Sequence, residues 1–109
     1  MAKKTIPIKI KKEIKEYIQI LKTDKLPINK VILYGSYAKG KQHQWSDIDL
    51  CIISPKFKDA YCAMQYLLLK TITKPKHPIE PVGFSPKDFK DKYSSLIDEI
   101  KTTGIEIPV

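Results

Sequence analysis

Gly35 and Ser36 are followed by ten residues and then by Asp47-Ile48-Asp49. Two acids at i and i+2 of a strand share one face, with Cα atoms about 6.5–7 Å apart, so their carboxylates can converge on a cation. Magnesium prefers such hard oxygen ligands and keeps coordination positions open for substrate phosphate. Like charges this close raise each other's pKa, and a bound dication relieves the repulsion. A glycine after a buried strand lets a ligand approach the backbone closely. A short helix starting at Ser36 would offer free N–H groups to an anion, and the Ser36 hydroxyl could add a donor. The chemistry implied is metal-assisted handling of a phosphate.

The same stretch almost spells a second phosphate signal. Gly35, Gly40 and Lys41 meet the GxxxxGK spacing of a P-loop. That loop needs Ser or Thr next, as a magnesium ligand, and then a long helix. Position 42 is Gln, and the following His-Gln-Trp reads as a loop. The serine-spacer-DxD reading is therefore preferred.

The elements that must position these residues follow from periodicity. Ile10, Ile14, Ile18 and Leu21 recur at helical spacing, which predicts a helix over 8–24. Pro27 and Asn29 mark a turn before a short buried strand, KVILY, at 30–34. Gly35 breaks that strand, and Ser36 is placed to cap a brief helix through about Lys41. Residues 42–46 read as a polar loop around Trp45. In DIDLCII, 47–53, Ile48, Leu50 and Ile52 share one face, while Asp47, Asp49 and Cys51 share the other. Cys51 is expected to pack beneath the acids, as free cysteines tend to be buried.

Ser54-Pro55 reads as a helix start. The helix is predicted to reach about Thr73 and to bury Ala60, Met64, Leu67, Leu68 and Thr71. Pro75 and Pro78 bracket a turn. The third strand is IEPVGF, 79–84, and Pro81 assigns it to an edge or a bulge. Ser85-Pro86 repeats the helix-start device, with Asp88 placed like a capping-box acid. That last helix is predicted to carry Phe89, Tyr93, Leu96, Ile97 and Ile100 on one stripe. Gly104 ends it, and Ile105 to Val109 supply a last short strand. The fold class is mixed α+β in the order αβ(α)βαβα. Helices are expected on one face of a small mixed sheet, leaving the other face for chemistry.

A chain of 109 residues is expected to be a single domain. Its net charge of +8 comes from 20 lysines against 12 acids, with no arginine, so no guanidinium fork can grip a phosphate. Most lysines read as solvated faces. The basic start, MAKKTIPIKIKKEIKE, lacks the apolar stretch of a signal peptide, and no run is long enough to span a membrane. Cys51 and Cys62 have neither metal nor redox spacing. A cytoplasmic protein with reduced thiols is expected. Stable nucleic-acid binding is not expected, because a recognition helix and interleaved basic and aromatic residues are missing. Trp45 reads as a loop packing residue, and His43 and His77 are assigned no role.

GSYAKGKQHQWSDIDL resembles the GSx10DxD signature of the nucleotidyltransferase superfamily related to the DNA polymerase beta palm. With its short length, the chain resembles the minimal nucleotidyltransferase (MNT) proteins of prokaryotes, and the order of elements extends the likeness over nearly all of it. In that family a third carboxylate comes from the next strand. Glu80 is the only acid between Asp59 and Asp88, and IEPVGFSPKDF also looks like the corresponding MNT stretch.

The resemblance implies transfer of a nucleoside monophosphate from an NTP, with ATP expected, to an acceptor hydroxyl. It implies that Gly35 and Ser36 hold the triphosphate, with Lys39 and Lys41 neutralising it. It further implies that Asp47, Asp49 and Glu80 are the catalytic acids and bind Mg2+, with two ions expected. Small MNT proteins pair with HEPN-domain toxins, which implies an antitoxin acting on a protein acceptor, with a tyrosine hydroxyl expected. Three departures stand out: Lys39 where relatives often carry Arg, Gln42 where they often carry an acid, and Glu80 for the commoner Asp. The competing reading is a nucleotide- or partner-binding module that neutralises a toxin by contact alone.

Overall fold

The computed structural model describes residues 6–41, 46–71 and 78–109. Gln42, His43, Trp45 and His77, together with the expected turn at Pro75, lie outside them. Helix α1 (Ile8–Thr23) buries the predicted stripe Ile10, Ile14, Ile18 and Leu21, with Tyr17 added to it. Tyr17 Oη donates to the carbonyl of Leu67 at 2.7 Å, tying α1 to the helix beneath it.

Strands β1 (Lys30–Tyr34), β2 (Ile48–Ile53) and β3 (Ile79–Phe84) fall where short apolar runs between turn residues placed them. A last strand, β4 (Ile105–Ile107), follows Gly104. The sheet order is β3-β2-β1-β4. Strand β1 pairs antiparallel with β2 and β4, and β2 pairs parallel with β3. Parallel pairing requires a crossover, and helix α3 (Ala60–Thr71) supplies it. β3 lies at an edge, consistent with Pro81, which has no N–H to give a further neighbour. The remaining elements are the single-turn α2 (Ser36–Lys39), a 3-10 turn at Asp88–Lys90, and α4 (Ser95–Thr103). Among the described residues no helix is long and apolar enough to cross a membrane.

Val31 and Leu33 of β1 and Ile48, Leu50 and Ile52 of β2 face α1 and α3 in the larger core. The opposite sheet face is not left clear of helices, as the sequence had suggested. Ile97 and Ile100 of α4 cover Ile32, Cys51, Ile53 and Phe84 there. Those side chains are apolar and must be removed from water. The end of that face carrying Asp49 and Glu80 is polar, and the exposed pair Lys30 and Glu106, 3.9 Å apart, lies on the same face beyond Ile32.

Two predicted helix starts are also corrected. Ser54 is fully buried, and its Oγ accepts from Lys56 N at 3.2 Å, closing a turn instead of opening a helix. Helix α3 starts five residues later, where Asp59 Oδ1 accepts from Cys62 N at 2.7 Å. Its buried face is Ala63 and Leu67, whereas Ala60, Met64 and Leu68 are exposed. The reason is a close approach to β3: a Cβ on Gly83 would lie 2.7 Å from Ala63 Cβ. Small residues on both sides select that face of α3. The last helix is interrupted as well. Ser85 Oγ accepts from Asp88 N at 3.0 Å, but the 3-10 turn stops at Asp91, which is extended. Helix α4 begins afresh at Ser94, whose Oγ accepts from Ile97 N at 3.2 Å. Tyr93 therefore leaves the predicted stripe and is 96% exposed.

Candidate active site

The strand register brings the acids together. Tyr34 at the end of β1 is paired with Asp49, and Asp49 is paired with Glu80 across the parallel ladder. Side chains at paired positions share a face. Asp47 sits just before β2 and reaches the same place, where its carboxylate is hydrogen-bonded to Glu80. Cys51 lies beneath, fully buried, and burial pushes its thiol up to about 12. It is inert packing under the acids, as expected.

The electrostatics are those of crowded carboxylates. Donation from its protonated carboxyl to the Asp47 carboxylate pushes Glu80 up to about 7, helped by desolvation and by the charges of Asp47 and Asp49. Half-buried Asp49 is raised mainly by burial; its hydrogen bond to Glu80 works the other way, and the charges of Asp47 and Glu99 add to the rise. Crowding and burial thus oppose ionisation of Asp49 and Glu80, and a dication would relieve that opposition.

Gly35 forms the wall beside the acids. Its φ of +74° and ψ of −149° belong to a region open to glycine almost alone. An added Cβ would stand 2.1 Å from Asp49 Oδ2. Gly35 also occupies the N-cap position of α2, so Ser36 is the first helical residue and not the cap. Its hydroxyl is thus spared for another partner. Gly40, left-handed at φ +70°, closes the turn, with Lys41 N donating to Ser36 O at 2.9 Å. Lys39 and Lys41 are both exposed at this end of α2. Lys39 Nζ lies 3.9 Å from Glu99 Oε1 of α4.

Two residues of this neighbourhood were missed from sequence. Glu99 extends the negative field to Asp49 and Tyr34; no motif marks it, since it is one acid on an ordinary amphipathic helix. Tyr34 is 7% exposed beside Asp49, and burial followed by the Asp49 charge raises its hydroxyl pKa. Strand alternation with Ile32 was its only available signal.

The donor set of Asp47, Asp49 and Glu80 is all carboxylate oxygen, which fits magnesium. Among the described residues no three such side chains stand in a ready-made ligand cluster. A dication held by Asp47, Asp49 and Glu80 would relieve the repulsion between their carboxylates.

An acid cluster on adjacent strands beside a glycine-serine turn has the oxygen donors and open backbone that phosphate chemistry requires. The sequence model of the nucleotidyltransferase domain family matches residues 14–107. The chain belongs to that family, and its enzyme class is nucleotidyltransferase. It is 34% identical over 107 residues to a Methanocaldococcus jannaschii protein named "Putative protein adenylyltransferase", covering 92% of this chain and 97% of that one. Among solved structures it is similar to a toxin–antitoxin crystal structure with AMP-PNP. That match has a TM-score of 0.62 and 25% identity, over 84% of this chain and 69% of the other. It shares its fold with a mutant MntA-HpeT toxin–antitoxin structure at TM-score 0.59 and 22% identity, over 86% of this chain and 70% of the other.

Proposed function

We propose that this protein is a magnesium-dependent nucleotidyltransferase that moves AMP from ATP to a hydroxyl of a partner protein, as the antitoxin of a HEPN/MNT pair. The observation that carries the reading is the meeting of Asp47, Asp49 and Glu80 beside Gly35 and Ser36. The relative named as a protein adenylyltransferase supports a protein acceptor. The 25% identical toxin–antitoxin neighbour with AMP-PNP supports an adenine nucleotide and a toxin partner.

Asp47 and Asp49 would hold the metal, with Glu80 completing the set around two ions. Bound magnesium supplies charge neutralisation on the triphosphate and acidifies the acceptor hydroxyl. Gly35 leaves room for the triphosphate against the backbone, and the Ser36 hydroxyl donates to it. Lys39 and Lys41 offset its negative charge. The acceptor oxygen forms a bond to the α-phosphorus as the bond to the pyrophosphate oxygen breaks. If Glu80 does not ligate the second ion, its carboxylate would instead receive the hydroxyl proton.

A second reading, neutralisation by contact without turnover, draws on Lys39 being engaged by Glu99 instead of pointing freely at a phosphate. One experiment separates the two. The protein is incubated with magnesium, labelled ATP and the product of the adjacent gene. Label on that product, abolished by Asp47→Asn, supports transfer. Tight binding without label, unchanged by Asp47→Asn, supports contact alone.

A further inference from the structure

Tyr34 carries a hydroxyl that the chemistry above does not use. The residue ends β1 with 7% of its surface exposed, and among the described residues its Oη has no hydrogen-bond partner. A donor left unpaired in a buried position is unfavourable, so its presence calls for a reason. The ring packs in the cluster formed by Cys51 of β2 with Ile97 and Ile100 of α4. That cluster lies on the sheet face that carries Asp49 and Glu80.

The strand register sets what stands beside the tyrosine. Tyr34 is paired with Asp49, and directly opposed side chains have Cβ atoms about 4.5–5.5 Å apart. The next residue, Gly35, borders the same carboxylate: Asp49 Oδ2 lies 2.1 Å from the position a Cβ on Gly35 would take. Two consecutive residues at the end of β1 thus flank Asp49. Of the charges that act on the Tyr34 hydroxyl, that of Asp49 is the largest, ahead of those of Glu80 and Glu99.

A carboxylate offers more acceptor positions than one cation uses. With one oxygen on a metal ion, the other still needs a donor, and such outer partners hold ligating carboxylates in orientation. Glu80 cannot serve while it ligates the metal, because an ionised carboxylate has no hydrogen to give. Gly35 has no side chain. The Tyr34 hydroxyl is a neutral donor at the paired position, and it adds no charge to the acid cluster.

We infer that Tyr34 is a positioning residue, whose hydroxyl donates to the Asp49 oxygen left free by the metal ion and so fixes the orientation of Asp49 as a ligand. The inference rests on the metal reading of Asp47, Asp49 and Glu80 above and adds the group that holds one of the three.

The test compares the full chain with Tyr34→Phe, which removes one oxygen and keeps the ring. Manganese affinity, measured by titration calorimetry without nucleotide, is expected to fall at least ~10-fold. The Tm in EDTA is expected to hold or rise, because the variant loses an unpaired buried group. Label transfer, reduced at limiting manganese, is expected to recover at saturating manganese. A lower Tm in EDTA overturns the inference whatever the affinity, since it makes the hydroxyl a structural group of the metal-free chain. Transfer that stays low at saturating manganese overturns it too, by placing the hydroxyl in the reaction itself. Equal manganese uptake by the wild type and Tyr34→Phe sinks the inference alone, whereas a wild type that takes up no manganese sinks it together with the metal reading.

Discussion

The carboxylate of Asp49 fills the space that a side chain on Gly35 would need: a Cβ there would fall 2.1 Å from Asp49 Oδ2. The turn after β1 and the acid on β2 are therefore one unit, in which the missing side chain of the first positions the second. Gly35→Ala must both adopt a backbone region costing about 1–3 kcal/mol and push Asp49 aside. A lower Tm and loss of nucleotidyl transfer are expected together, measured by thermal denaturation and by label transfer. A Gly35→Ala protein with wild-type activity would refute the coupling.

Asp49→Asn separates stability from chemistry. Burial and neighbouring acids hold Asp49 partly against ionisation, so removing its charge relieves the metal-free protein. In EDTA the Tm is expected to hold or to rise by roughly 2–4 °C. The increase in Tm that magnesium or manganese gives the wild type should vanish, along with transfer. A variant that retains the metal-induced shift would exclude Asp49 as a ligand.

Glu80 predicts a pH dependence. In the folded chain it holds its proton more tightly than in the unfolded chain, with a pKa of about 7 against an ordinary 4.5. The stability it contributes without metal is complete below its unfolded value and is lost as pH rises through about 7. Metal binding runs in the opposite sense, because the cation replaces the proton. Affinity for manganese, measured by calorimetry, should rise between pH 6 and 8, and Glu80→Gln should flatten that rise. An unaltered slope in Glu80→Gln would assign the titration to another group.

Lys39 is shared between α2 and Glu99 of α4 at 3.9 Å. An exposed pair of this kind contributes about 0.2–1 kcal/mol. Glu99→Gln should release Lys39 toward the triphosphate and lower KM for ATP by about two- to five-fold, with kcat little changed. Lys39→Ala should raise KM and cancel the effect of Glu99→Gln in the double variant. Additive effects would show that the two act separately.

Tyr17 provides a control remote from the acids. Its hydroxyl donates to Leu67 O at 2.7 Å in a buried position. Tyr17→Phe is expected to lower stability by about 1 kcal/mol in denaturant titration while leaving KM and kcat unchanged.

Much of this architecture could be read before folding was considered. KVILY and IEPVGF became β1 and β3 with the expected bounds, because each is a short apolar run closed by turn residues. The edge position of β3 followed from Pro81. Ser54-Pro55 and Ser85-Pro86 misled for one reason. A serine hydroxyl serves a helix start and a plain turn equally well, and surroundings choose between them. Ser54 was drawn into the core, and the α4 segment restarted at Ser94 to place Ile97 and Ile100 over the sheet.

The amino-acid order alone determined the local facts: an i, i+2 acid pair at the start of a strand, a glycine-serine break after another, and the facing of Ile48, Leu50 and Ile52. These depend on backbone periods of a few residues. Tertiary structure decided the pairing of Asp49 with Glu80, thirty-one positions later, and the reach of Glu99 to Lys39. It also decided which side of α3 faces outward, through the contact of Gly83 with Ala63. Those relationships join segments distant along the chain, and only the packing that brings the segments together selects one register and one face.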